Sequence, residues 1–228
     1  MPQSMPNVAN VPPPPSAGAN DERAYYALSR RVYNSWFATA YDTITWPVRR
    51  LRSRVARLAN IQVGTHAIDV ATGTGAQARA FDEAGAKVLA IDLSPRMLGI
   101  ARRKHRDRDI EFIKGDATAL PALDASFDVS CVSFALHEMP ASVRARVVRE
   151  MARVTRPGGT VVVVDYALPR NRVWLWLVYH VVKSYERDHY VDFVHADLVA
   201  LLARSGISVG TLHRALLGAA QIVIGIRR

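Results

Sequence analysis

The residues whose types and spacing could do chemistry here are three carboxylates and a glycine turn. A short run, His66-Ala67-Ile68-Asp69-Val70, is apolar except for its acid and ends in Ala71-Thr72-Gly73-Thr74-Gly75. A second apolar run, 87–91, delivers Asp92 at its tip, and Asp116 follows a third at 110–114. Glycines let the backbone come close to a ligand. A carboxylate at the end of a second strand accepts hydrogen bonds from ribose hydroxyls. The pattern therefore suits an adenosine-containing cofactor held at the carboxyl ends of the first strands of a doubly wound sheet.

Two cofactor classes fit the glycines. Gly73-Thr74-Gly75-Ala76-Gln77-Ala78 matches a loose G-x-G-x-x-A pattern, as in dinucleotide-binding turns. Asp69 separates the two, because a carboxylate leading into the turn would repel a pyrophosphate. It suits a ligand with a cationic amine and a sulfonium, and S-adenosylmethionine carries both. That cofactor is the expectation. An NAD-dependent oxidoreductase and a non-catalytic cofactor-binding protein are the alternatives.

The elements that must position these residues alternate along the chain. Strands are expected at 66–71, 87–92, 110–114, 127–134 and 159–166, with a closing pair near 207–217 and 220–227. Helices are expected near 75–84, 95–105, 141–154 and 195–205. Such alternation predicts an α/β fold with a mostly parallel sheet. With 228 residues, 50% of them hydrophobic, the chain can fill one such domain with a full core. Residues 1–20 hold Pro12 to Pro15 without the basic start and apolar core of a signal peptide, so they are expected to be a disordered tail. Residues 21–228 are expected to form a single domain, with a helical lid at 21–60 and a core at 61–228 that carries a helical insertion at 170–193.

Further motifs continue in order: Ala90-Ile91-Asp92-Leu93-Ser94-Pro95-Arg96-Met97-Leu98, Lys114-Gly115-Asp116-Ala117, Leu120-Pro121, Ser126-Phe127-Asp128-Val129, Glu150-Met151-Ala152-Arg153-Val154 and Arg156-Pro157-Gly158-Gly159. With Asp69 to Gly75, they make the chain from about Tyr25 onward resemble the class I S-adenosylmethionine-dependent methyltransferases. Within these it is most similar to the ubiquinone and menaquinone biosynthesis branch. The resemblance implies a Rossmann-like, seven-stranded sheet of order 3-2-1-4-5-7-6 with the last strand antiparallel. It implies that Asp69, with the amides around Gly73, Thr74 and Gly75, holds the methionine end of the cofactor, and that Asp92 takes the ribose hydroxyls. Leu93 and Met97 would pack on the adenine, Asp116 would accept from its amine, and the Ala117 amide would meet a ring nitrogen. Ala71 and Ser133, at the ends of the first and fourth strands, join the cofactor-binding set. So do Tyr41 and Tyr25 from the aromatic lid, which excludes water and holds the acceptor near the methyl group.

The acceptor is less sharply written. His137, just past the fourth strand, is the candidate base, and His137-Glu138 stands where quinone methyltransferases usually carry Arg-Asn. The run Val173-Trp174-Leu175-Trp176-Leu177-Val178-Tyr179 is apolar on every side of a helix and too short to span a bilayer. It suits the wall of a hydrophobic pocket or contact with a membrane surface. The expected acceptor is therefore small and hydrophobic or lipid-like, a quinone-type ring or a phospholipid head group, with a natural product or other metabolite as the alternative. The formal charge is +10, with Arg49, Arg50, Arg52, Arg54 and Arg57 crowded together. Such faces attract anionic lipid or nucleic acid, and peripheral contact with an anionic membrane is the expected partner. A nucleic-acid substrate is not expected, because no Asn-Pro-Pro-Tyr-type loop follows the fourth strand. One cysteine, Cys131, precludes an internal disulfide and fits a reducing, cytoplasmic setting. No metal site is expected, since the histidines lack ligand spacing.

Overall fold

The largely apolar runs at 67–70, 129–132 and 161–165 are buried on both faces, which is why they read as continuous rather than alternating. Val161, Val162, Val163 and Val164, for example, are each at most 1% exposed. The computed structural model describes residues 21–27, 49–171, 174, 176, 180 and 189–228. Its strands are β1 (His66–Val70), β2 (Lys87–Asp92), β3 (Ile110–Lys114), β4 (Phe127–Ser133), β5 (Thr155–Tyr166), β6 (Ile207–Ala215) and β7 (Ala220–Arg227). They form one sheet in the order β3-β2-β1-β4-β5-β7-β6. The pairs from β3 to β5 are parallel, whereas β7 runs antiparallel to both neighbours. The expected topology is borne out.

Helices cover both faces. They are α1 (residues 21–27), α2 (Arg49–Leu58), α3 (Ala76–Asp82), α4 (Pro95–Lys104), α5 (Ala141–Val154), α6 (Tyr190–His195) and α7 (Leu198–Arg204). One core layer joins Val55, Phe81 and Leu98 of α2, α3 and α4 to Ala67, Cys131 and Val162 of the sheet. The other joins Val147 and Met151 of α5 and Leu202 of α7 to Ile68, Val132 and Val163. Alternate strand residues thus serve opposite layers. Ser94 starts α4 by accepting from the Met97 amide at 3.2 Å, with Pro95 at the first helical position.

Two boundaries differ from expectation. β5 begins at Thr155 because Arg156-Pro157-Gly158-Gly159 is a bulge: the pairing jumps from Phe127↔Thr155 to Val129↔Thr160. A Cβ on Gly159 would lie 2.9 Å from the Asp128 carbonyl oxygen, so only glycine fits. The helix expected near 195–205 is α7 and starts later, at Leu198, because Asp197 caps it by accepting from the Ala200 amide at 2.9 Å. The proline-rich tail, lid residues 28–48 with Tyr41, and most of the insertion lie outside the described residues. Among the described residues, no helix is long and apolar enough to cross a membrane.

Candidate functional site

β2 and β3 lie on one side of β1, and the chain then crosses to β4 on the other. A crevice opens at such a switch point, beyond the carboxyl ends of the strands. Here it is lined by the turn after β1, the tips of β2 and β4 and the loop after β3. Both flanking strands end in left-handed backbone: Ala71 has φ 56° and Phe134 φ 53°. Gly73 (φ 57°) and Gly75 (φ 80°) continue the turn after β1. At Gly75 a Cβ would also lie 2.8 Å from the Phe112 ring, so conformation and packing both demand glycine.

Asp69 sits at the floor of this crevice, 1% exposed. Its Oδ2 accepts from the Thr72 hydroxyl at 2.5 Å and the Ala78 amide at 3.0 Å. Its Oδ1 has no hydrogen-bond partner among the described residues. Burial pushes its carboxyl up to about 6, against the opposing pull of Thr72, Arg52 and Ala78. A buried carboxylate with one oxygen idle calls for a cation or a donor from outside.

Asp92 ties the tip of β2 to the turn. Its Oδ2 accepts from the Gly73 amide and its Oδ1 from the Ser94 amide, both at 2.8 Å. Burial raises its pKa, while the amides of Ser94, Gly73 and Leu93 pull it down. Each carboxylate oxygen accepts two hydrogen bonds, so acceptor capacity is left for a ligand. Asp116 Oδ1 accepts from the Thr118 amide and hydroxyl, both at 2.8 Å, and from the Tyr26 hydroxyl at 3.4 Å.

Most of the residues singled out in the sequence meet here. Asp69, Ala71, Gly73, Thr74, Asp92 and Leu93 line the crevice, as do Met97, Asp116, Ala117, Ser133 and Tyr25. Gly75 does not; it stands behind the turn at the start of α3. Tyr41 lies outside the described residues. His137 is 2% exposed and lies behind the crevice wall. Its Nδ1 is 2.7 Å from Asp165 Oδ1, its backbone amide donates to Asp165 Oδ2 at 3.2 Å, and the Tyr166 ring packs edge-on at 4.6 Å. The ionisable side chain of this loop that lines the crevice is Glu138, whose Oε1 is 3.8 Å from His137 Nε2.

Sequence reasoning missed Glu138 although it named the dipeptide. It also missed Arg52, which lines the crevice from α2 and acts electrostatically on Asp69. In the sequence Arg52 is one arginine among five, and only helical phase tells it from its neighbours. α1 is held over the opening by Glu22, whose two oxygens accept from Arg146 Nη1 and Nη2 of α5, both at 2.9 Å. The Ser142 hydroxyl adds a third bond at 2.5 Å. These partners hold the Glu22 carboxyl down at about 2, and the tie places Tyr25 and Tyr26 at the rim. Among the described residues no cluster could hold a metal ion.

Residues 68–163 match the family model of a methyltransferase domain, and the resemblance read from the motifs is borne out over that span. A demethylmenaquinone methyltransferase of Paenarthrobacter aurescens is 40% identical over 126 residues, 55% of this chain and 48% of that protein. One from Renibacterium salmoninarum is 42% identical over 121 residues, 53% of this chain and 49% of that protein. The chain therefore spans about half the length of these curated relatives. Magnesium protoporphyrin IX methyltransferase from Synechocystis, solved with bound S-adenosylhomocysteine, superposes with TM-score 0.73 at 16% identity. It covers 89% of this chain and 100% of its own, which shows the shared fold.

Proposed function

We propose that the chain is an S-adenosylmethionine-dependent methyltransferase acting on a small hydrophobic acceptor, with a quinone-type ring as the leading candidate. The observation that carries the reading is Asp69: a buried carboxylate at the floor of the crevice with one oxygen unpartnered among the described residues. That site accepts a cationic amine and rejects a pyrophosphate, which counts against the NAD alternative. The demethylmenaquinone methyltransferase relatives favour a quinone ring as acceptor. A phospholipid head group or a natural product is the alternative acceptor.

When bound, S-adenosylmethionine supplies an electrophilic methyl group on a sulfonium. Asp69 accepts from its amine, and the turn at Gly73 and Thr74 borders the same end with Ala71 and Ser133; Gly75, expected to share this role, supports the turn from behind, its amide donating to the Thr72 carbonyl at 3.0 Å. Arg52 neutralises its carboxylate. Asp92 accepts from the ribose hydroxyls, in charge-assisted bonds worth about 1.5–3 kcal/mol each. Leu93 and Met97 enclose the adenine, Asp116 takes its amine and the Ala117 amide its ring nitrogen. Tyr25, with Tyr41 from the rest of the lid, excludes water. Because the transfer is a direct displacement, alignment supplies most of the acceleration. Where the acceptor must lose a proton, Glu138 is the crevice-lining carboxylate that can take it. His137, bonded to Asp165, then holds the loop that carries Glu138.

Calorimetric titration with S-adenosylmethionine, S-adenosylhomocysteine and NAD tests this reading. Dissociation constants on the order of micromolar are expected for the first two and no heat for NAD, as suits a cofactor used near cellular levels. Asp92→Ala should abolish both. Binding of NAD alone, or undiminished binding by Asp92→Ala, would overturn the site assignment.

A further inference from the structure

A surface patch on the same edge of the sheet as the crevice has no part in the cofactor reading. Between β6 and β7 the chain turns through Leu216, Leu217 and Gly218, with φ of 50°, 56° and 92°. Gly218 suits that left-handed region; two leucines do not. Leu217 is nevertheless 83% exposed and Leu216 39%. The turn is braced: the Ala219 amide donates to the Leu216 carbonyl at 3.0 Å, and the Ala167 amide to the Ala219 carbonyl at 2.9 Å. A braced turn that holds two strained apolar side chains out of the core serves something outside the molecule.

The surroundings say what kind of partner that is. Ala219, which ends the turn, packs against buried Tyr190, as does Trp174. Arginines border the patch. Arg214 reaches the Leu168 carbonyl, Arg54 of α2 reaches the Arg214 carbonyl, and Arg170 is exposed next in sequence to Pro169, which packs under Gly218. Exposed leucines rimmed by arginine match the boundary of an anionic bilayer, where apolar tips enter the acyl region and cations stay among the phosphates. β6 runs in the same direction as β5, so this turn lies at the carboxyl edge of the sheet, as the crevice does. Arg54 also shares α2 with Arg52, which lines the crevice.

We infer that the Leu216–Gly218 turn, with the arginines Arg54, Arg170 and Arg214, is a docking surface for an anionic lipid bilayer that sets the crevice mouth against the membrane. This surface stands independently of the cofactor assignment.

Vesicle co-sedimentation of the full chain tests it. Vesicles of phosphatidylcholine alone are compared with vesicles carrying about 30% phosphatidylglycerol, a negative surface like that of a cytoplasmic leaflet. Binding is expected only to the anionic vesicles and should weaken in about 0.5 M salt, where screening is short-ranged. The double variant Leu216→Asn with Leu217→Gly places residues at ease in left-handed backbone. It should keep or raise the melting temperature, keep S-adenosylhomocysteine binding, and lose roughly tenfold in vesicle affinity. Arg54→Glu with Arg214→Glu should lose binding and its salt dependence together. No binding to anionic vesicles, or undiminished binding by the leucine double variant, would overturn the proposal. So would a leucine-dependent dimer in place of vesicle binding, which assigns the patch to a second copy of the chain. Failure of the parent to bind S-adenosylhomocysteine would count against the cofactor reading and leave this one intact.

Discussion

Asp69 joins stability and ligand binding in one side chain. Its carboxyl is raised from 3.8 to about 6 because burial strips it of water. A raised acid binds its proton more tightly when folded, so the contribution of Asp69 to stability is full at low pH and falls as pH rises from about 4 through about 6. The stability lost across that range is about 3 kcal/mol. Asp92, also raised by burial, adds a slope of the same sign. Asp69→Asn keeps an acceptor for the Thr72 hydroxyl and the Ala78 amide and removes the buried charge. Chemical unfolding should therefore show a flatter stability profile between about pH 4 and about pH 7, with the variant more stable than the parent at neutral pH. The same variant should bind S-adenosylhomocysteine more than tenfold more weakly, the order expected for a lost charge-assisted bond. A variant less stable than its parent at neutral pH would mean that the carboxylate is better compensated than its idle oxygen indicates.

Among elements, α1 and its tie to α5 carry a prediction of their own. The Glu22 carboxylate, gripped by Arg146 and Ser142, holds Tyr25 and Tyr26 at the crevice rim while contributing nothing to the core. Glu22→Gln should leave the melting temperature unchanged and raise the S-adenosylhomocysteine dissociation constant several-fold, about the effect of a lost surface ion pair of good geometry. Because this carboxyl is held down at about 2, the docked helix should keep its tie until pH falls below the ordinary carboxylate range. A lowered melting temperature with unchanged affinity would make α1 a structural strap instead. The strands and most of the crevice were legible in the sequence, because β1, β4 and β5 are buried on both faces and the acids sit at strand tips, whereas the strand order came from the family resemblance alone. The start of α7 at Leu198 was not legible, because Asp197 reads equally as a solvated residue or a cap. Nor was the retreat of His137 behind the wall. Two adjacent residues on a 3-10 turn face different ways, and only the partnership with Asp165, at the far end of β5, decides which of them meets the crevice.

Over the whole molecule the charges are sorted: the chain carries +10, while its crevice gathers Asp69, Asp92 and Asp116. Basic surface and acidic interior suit a cationic ligand inside and an anionic partner outside. Proton linkage then joins ligand binding to stability. A ligand ammonium that pairs with Asp69 must meet the ionised form, which burial makes scarce below about pH 6. At about pH 5 roughly a tenth of that carboxyl is ionised, so affinity for S-adenosylhomocysteine should be about tenfold weaker than at about pH 7.5. A ligand at a hundred times its dissociation constant stabilises the fold by about 2.7 kcal/mol, a rise of about 5–11 °C for a domain of this size. The same concentration at about pH 5 should give only about half that rise. Binding at about pH 6 should release protons, seen as heats that differ between buffers of different ionisation enthalpy. S-adenosylhomocysteine carries the ammonium but no sulfonium, so the sulfonium takes no part in the pH effect, and the same titration of Asp92→Asn separates the share of Asp92, whose pKa burial also raises, from that of Asp69. Equal shifts at both pH values would remove the ammonium from Asp69 and leave the ribose and adenine contacts alone to define the site.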